Sequence, residues 1–286
     1  PFIRSICRDV VDYTNLDAIK QFVAPRSPVS YLQNYSARQT PLLLTNNYLD
    51  RLFRSQYQMQ FFEQLECPKK MIMSQGGHAF AEAGGALGLP NHIWATAARW
   101  ADYWLKGVEN GVMAEPAFEM QVGADMVSKD YVQFPTWPAP AHVERNTYFL
   151  APRGTAATGT LQSGAPSTAA TDTIHFSRGD PGLTNGDARD DRERAFGRAL
   201  TFNLSAANRR ASVSFVSEPL AEATRVCGAA SMALEFATAS PSWQVYGYIY
   251  SVAPGGTNAT LLGNTWQSHH ANASSTAAAG KKVATV

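Results

Sequence analysis

Two short runs of apolar residues constrain this chain most. Leu42-Leu43-Leu44-Thr45 and Met71-Ile72-Met73 are continuous rather than alternating. Runs of that kind suit strands covered on both faces, as in the middle of a parallel sheet under helices. Between them, Leu52 to Leu65 carries Phe53, Tyr57, Phe61 and Leu65 at helical spacing and stops at Cys67-Pro68. The order strand, helix, strand predicts a right-handed crossover with two parallel strands.

Each run leads into a turn with one chemically able side chain, Asp50 after the first and His78 after the second. Open α/β sheets place their sites at the carboxyl ends of strands. A carboxylate and an imidazole held there are two members of a nucleophile–histidine–acid triad. Gly76-Gly77 allows a sharp turn into His78. Helix capping explains Asp50 as well, because Asp is a favoured N-cap, and His78 then reads as an ordinary loop residue. Spacing alone leaves both readings open.

Upstream, Val10 to Phe22 predicts one or two helical turns capped by Asn15 or Asp17, interrupted by Pro25, Ser27 and Pro28. Downstream, Asn91 and Gly107 bracket a helix. Its stripe of Ile93, Ala97, Trp100, Ala101, Trp104 and Leu105 faces the sheet, and Thr96, Arg99, Asp102 and Lys106 lie opposite.

After Gly111 the pattern changes. Phe118, Met120 and Val122 alternate with polar residues, as do Leu200, Phe202 and Leu204, then Met232, Leu234 and Phe236. Val213 to Val216 and Trp243 to Val252 add strands rich in aromatic and β-branched residues. Turn-rich stretches separate them, including 134–140, 153–172 and 177–194, and 271–280 reads as a loop. This half predicts an antiparallel β-sandwich. The fold class is therefore α/β plus all-β, divided into 1–112 and 113–286.

No nucleophile elbow of the form G-x-S-x-G occurs. Ser74 lies at a strand end without the preceding glycine, and Ser163 and Ser177 lie in turn-rich segments. In α/β-hydrolases the serine precedes the acid and the histidine. Either the nucleophile lies upstream of Pro1 or the chain is not a hydrolase. The chain opens on Pro1-Phe2-Ile3-Arg4 and ends on a starting strand at 281–286, so the expectation is a truncated domain with localisation unreadable.

Other features carry little chemistry. Gly84-Gly85-Ala86-Leu87-Gly88 lacks a phosphate-loop pattern. Asp180, Asp187, Asp190 and Asp191 do not match a calcium loop. The tripeptide Arg178-Gly179-Asp180, the pair His269-His270 and the N-x-S/T sites at Asn34, Asn203, Asn258 and Asn272 have bland explanations. Cys7, Cys67 and Cys227 show no metal or disulfide spacing and read as buried thiols. No cofactor and no metal is expected. Net charge is +1, without a basic run longer than two residues, which argues against nucleic acid or an anionic membrane as partner. No window reaches the length of a membrane span.

Several segments together resemble a known family. These are P-L-L-L-T-N-N-Y-L-D at 41–50, M-S-Q-G-G-H at 73–78, R-W-A-D-Y-W-L-K-G at 99–107, F-P-T-W-P at 134–138 with T-Y-F-L at 147–150, the loop with Asp180-Pro181, and F-V-S-E-P-L at 215–220. Their order resembles the X-Pro dipeptidyl-peptidases and cocaine-esterase-like acyl hydrolases, serine hydrolases with an α/β-hydrolase domain, a helical cap and a C-terminal jelly roll. The resemblance implies that Asp50 is the triad acid and His78 the base, and that residues 1–25 end the cap. It also implies that the elbow, the oxyanion tyrosine and most of the cap precede this chain, and that the last jelly-roll strands follow it. Arg209-Arg210-Ala211 departs from the acidic pair expected before F-V-S-E-P-L, which puts a structural bridge there in question.

The expected function is hydrolysis of a small ester, amide or peptide through an acyl-enzyme, with oligomerisation left open. The alternative is a non-enzymatic carbohydrate- or protein-binding sandwich, using Trp243, Tyr246, Tyr248, Tyr250 and Trp266.

Overall fold

The computed structural model sets the two apolar runs side by side as parallel strands, β1 (Leu42–Asn47) and β2 (Lys69–Ser74), paired from Leu42 with Lys69 to Asn47 with Ser74. The structure describes residues 5, 14–50, 52–123, 130–139, 141, 143–166, 171–175, 199–238, 240, 243–269 and 280–285, with side chains up to 264. Cys7, the loop at 177–194, His270 and Asn272, and most of the 271–280 loop lie outside these residues, as do the first residues of the predicted Val10–Phe22 helix.

Before β1 come helices α1 (Leu16–Val23) and α2 (Leu32–Arg38), separated by two 3-10 turns at Ala24–Arg26 and Pro28–Tyr31. Asn15 precedes α1 with φ 49° and makes no capping bond through its side chain. After β1 comes α3 (Ser55–Gln64), and after β2 come α4 (Phe80–Ala86) and α5 (His92–Lys106). Strands β3 (Phe118–Gln121) and β4 (Tyr131–Phe134) complete a four-stranded sheet in the order β1-β2-β3-β4.

Strand β3 corrects the sandwich reading of Phe118 and Met120. It runs parallel to β2, with Met71 beside Phe118 and Ile72 beside Glu119, and only β4 is antiparallel. All four residues of β3 are buried. The alternation that suggested a half-wet strand comes from buried polar side chains: Glu119 and Gln121 are buried, as are Phe118 and Met120. The paired sheet thus crosses the expected division at 112/113.

The pleat sorts the side chains onto two faces. Met71, Met73, Phe118 and Met120 form one core with Met59 and Phe62 of α3, closed by Phe134 and Trp137. Phe118 and Trp137 stack at 4.7 Å between ring centroids. Lys70, Ile72, Ser74 and Glu119 point to the other face, where His92 on α5 reaches Glu119. Helices therefore cover both faces, as the apolar runs of an α/β sheet require.

Three details of that layer differ from expectation. Strand β1 is at the edge of the described sheet, so Leu42 to Thr45 are half-buried rather than enclosed. Helix α3 starts at Ser55, and Phe53 (66% exposed) and Tyr57 face outward while Met59, Phe61 and Phe62 turn inward. On α5 the buried stripe is Ile93, Thr96 and Trp100, and Leu105 is 83% exposed. The caps of α5 are as expected: Asn91 Oδ1 accepts from the Trp94 N–H at 3.2 Å, and Gly107 ends the helix with φ 68°. Gly85 lets α4 meet α5, because a Cβ there would stand 1.8 Å from Trp94 Cδ1.

The remaining chain is β-rich. Strands β5 (Phe149–Ala151), β6 (Gly159–Gln162) and β8 (Phe215–Ser217) form one sheet, and β7 (Thr201–Asn203), β10 (Trp243–Val252) and β11 (Asn258–His269) a second. β9 (Ala233–Thr238) pairs with β12 (Gly280–Thr285). These pairings are antiparallel except β6 with β8, which is parallel, so the half is not the uniformly antiparallel array expected. Near Arg209-Arg210-Ala211 the chain is tied by Arg153. Its Nη2 donates to Arg209 O at 3.0 Å, and its backbone N–H donates to Asp172 Oδ2 at 3.0 Å.

Candidate active site

Asp50 and His78 meet. His78 Nδ1 lies 2.9 Å from Asp50 Oδ2. The carboxylate is 5% exposed and the imidazole 45%. The backbone explains the approach. Pairing of β1 with β2 continues past the strands, with Tyr48 N–H donating to Ser74 O at 2.9 Å and Leu49 N–H to Gly76 O at 3.0 Å. Asp50 N–H then closes a turn on Asn47 O at 3.1 Å. On the other side, Gly76 at φ 105° bends the chain out of β2, and Phe80 N–H donates to Gly77 O at 3.2 Å.

Asp50 does not cap a helix at Leu52 as the capping reading expects, because the helix begins at Ser55 with Arg54 at its N-cap position. The carboxylate instead divides its two oxygens between a turn and the imidazole. Oδ1 accepts from Leu52 N–H at 2.8 Å and Phe53 N–H at 2.9 Å, and Oδ2 faces His78. These bonds make a turn ahead of α3, which is why the helix begins at Ser55 rather than Leu52. They also fix the carboxylate's orientation, so the imidazole meets an acceptor already in place. The Phe53 ring lies 5.3 Å from the His78 ring.

Sequence reasoning missed the residues behind the pair. Asn47, fully buried, donates through Nδ2 to Gly77 O at 2.9 Å and to Glu82 Oε2 at 3.2 Å. Thr45 Oγ1 donates to Glu82 Oε1 at 3.2 Å. Glu82 on α4 thus braces β1 and the turn that carries His78. Two asparagines ending an apolar strand, and a Glu four residues after His78, were the available signals.

The other candidates separate from this pair. Ser74 is buried, with Oγ 3.4 Å from the Tyr131 hydroxyl. Ser163 lies exposed beyond β6, and Ser177 is outside the described residues. Among the described residues no hydroxyl or thiol hydrogen-bonds to His78. Burial pushes the Cys67 and Cys227 thiols up from their ordinary range. No cluster of metal-ligating side chains occurs among the described residues, and no helix there is long and apolar enough to cross a membrane. Tyr248 and Tyr250 pack against buried Leu49, Leu200 and Leu261, while Tyr246 faces outward. The Trp266 side chain lies outside the described residues.

A second histidine–carboxylate contact was also unforeseen. His92 Nε2 lies 2.7 Å from Glu119 Oε2, and Lys70 Nζ lies 2.6 Å from Glu119 Oε1. Lys70 also donates to Pro116 O at 2.8 Å and pairs with Glu115 at 3.2 Å. Burial alone would raise the Glu119 carboxyl; the hydrogen bonds and charges of His92 and Lys70 overcome that and hold it below its ordinary value. With the cation's donors and the carboxylate both engaged, this network joins β2, β3 and α5 rather than offering a free base.

Residues 110–277 match the X-Pro dipeptidyl-peptidase C-terminal non-catalytic domain. The chain belongs to the X-Pro dipeptidyl-peptidase family. Two curated relatives, from Bacillus cereus and Bacillus anthracis, bear the provisional name Xaa-Pro dipeptidyl-peptidase. They are 40% identical over 76 residues and 36% identical over 77 residues. Each match covers 27% of this chain and spans 11% of the relative's length. Two solved structures of a CocE/NonD family hydrolase from Staphylococcus aureus align at 12% identity. They cover 80% and 82% of this chain and 36% and 37% of the other, with TM-scores of 0.45 and 0.47. Asp50 and His78 precede the matched residues 110–277, which supply strands β3 and β4 of the same sheet.

Proposed function

We propose that this chain carries the acid and base of a serine hydrolase of the dipeptidyl-peptidase or acyl-esterase type. The observation that supports it is the Asp50–His78 contact at the ends of neighbouring parallel strands, with the second carboxylate oxygen fixed by two backbone donors. In this reading Asp50 keeps the proton of His78 on Nδ1 and leaves Nε2 as the accepting nitrogen. A serine from a part of the protein outside residues 1–286 attacks the ester or amide carbonyl. His78 takes the serine proton, passes it to the leaving alcohol or amine, and then activates the water that releases the acyl group. The half-exposed imidazole is placed to meet a group arriving from outside the described residues. The β-rich half is read as a jelly roll that supports the site.

The test is turnover of an X-Pro dipeptide anilide and of a simple aryl ester by the protein that carries this chain together with its nucleophile. His78→Ala should lower kcat by about 10⁴-fold or more. Activity within about tenfold of the parent would refute the assignment. The 286-residue chain alone should resist labelling by a fluorophosphonate probe, and labelling would place a reactive serine within it.

A further inference from the structure

The two residues before Asp50 belong to the packing of the β-rich half. Leu49 is 5% exposed and lies in a cluster with Leu200, which precedes β7, and Leu261 of β11, flanked by Tyr248 and Tyr250. Leu261 N–H donates to Leu200 O at 2.8 Å, which ties the two leucines together through the backbone. Tyr48 packs against this cluster and against the core of the front sheet, and its hydroxyl donates to Gln121 O at 3.4 Å.

On the other side of Asp50 the chain is more open. Leu52 and Phe53 are largely exposed, held by the Asp50 carboxylate itself and by Asn46 Nδ2 donating to Phe53 O at 3.0 Å. Leu49 N–H meanwhile bonds Gly76 O on the turn that leads to His78. A load on Leu49 is therefore felt by both partners of the pair. Paired side chains in a site must hold their geometry to a fraction of an ångström, and a buried leucine next to the acid supplies that restraint through close packing.

We propose that the sheet of β7, β10 and β11 positions the acid turn, with Leu200 and Leu261 as positioning residues for the Asp50–His78 pair. The matched non-catalytic domain then sets the geometry of a site to which it gives no reacting group. The catalytic part of this inference rests on the hydrolase reading above, whereas the geometric part does not.

The test uses nitrogen-15 spectra of the His78 ring in the 286-residue chain, with the ring in its neutral form. The shifts report which ring nitrogen carries the proton, with Asp50→Ala as the reference for a lost pair. Leu261→Ala should move the tautomer ratio toward that reference, and Leu261→Met should restore it. Leu200→Val is the milder variant that decides the matter if Leu261→Ala does not fold. In the protein with its nucleophile, the same variants should lower kcat about 10- to 100-fold with KM nearly unchanged. Folded Leu261→Ala or Leu200→Val with parental His78 shifts would overturn the positioning role. If instead the shifts respond while His78→Ala keeps full turnover, the positioning stands and the hydrolase reading falls.

Discussion

Asp50 does two jobs with two oxygens, and substitution can separate them. In Asp50→Asn, the amide oxygen can still accept from Leu52 and Phe53 N–H, at the 2.8 and 2.9 Å positions of Oδ1. The amide nitrogen then occupies the Oδ2 position, 2.9 Å from His78 Nδ1. It can only donate there, which drives the ring proton to Nε2, the nitrogen that must accept from the nucleophile. Stability should thus change by less than about 1 kcal/mol, while kcat drops by about 10⁴-fold, the size seen when a triad acid becomes its amide. Asp50→Ala removes both jobs. Two backbone donors in the turn lose their acceptor, a loss of the size of a helix-cap deletion, about 0.5–2 kcal/mol. For a chain of this size that is a fall in Tm of roughly 1–3 °C. The assay pairs thermal melting with turnover of an anilide substrate. The reasoning is refuted if Asp50→Asn keeps activity within about tenfold of the parent, or if Asp50→Ala melts with the parent chain.

The buried network makes a pH prediction. Because the folded Glu119 carboxyl sits below its ordinary value, its contribution to stability is full above the unfolded value near 4.5 and is lost as pH falls through the folded one. Glu119→Gln should flatten the acid limb of a Tm–pH profile, and an unchanged limb would contradict the network's role. Lys70→Met at neutral pH leaves the enclosed carboxylate without its closest cation and should cost about 3–5 kcal/mol by denaturant melts, so a loss under ~1 kcal/mol would argue against it. Gly85→Ala drives a methyl into the Trp94 ring, whose Nε1 donates to Glu82 O at 2.9 Å. It should cost about 1–3 kcal/mol, and a melt equal to the parent's would show that α5 yields there.

The sequence made one layer of this molecule readable. Strand β10 spans Trp243–Val252 as read, α5 carries the Asn91 and Gly107 caps, and Asp50 and His78, singled out at the two strand ends, lie in contact. What stayed hidden concerns neighbours. A helical wheel shows that Phe53, Tyr57 and Leu105 align, but exposure depends on what lies opposite, and nothing described covers them. Charge reads as surface, so Lys70 and Glu119 concealed a buried strand until their mutual pairing was seen. The direction of β3 is set by its partner β2 rather than by its own alternation. Asn47 and Glu82 brace the site through bonds to backbone and to each other, a role that leaves no periodic mark in the chain.

The path of β3 and β4 has one more consequence. The stretch shared with the peptidase family's C-terminal domain begins at residue 110, ahead of Phe118. Yet Phe118, Met120, Phe134 and Trp137 fill the core of the sheet that carries Asp50 and His78. The heritable segment and the packed body are therefore cut along different lines. A chain divided at 110 would leave one piece with an open sheet edge at β2 and the other with a stranded aromatic cluster, and a cut beyond Ala139 would still strip Leu49 of Leu200 and Leu261, so the two parts should be expressed and engineered together.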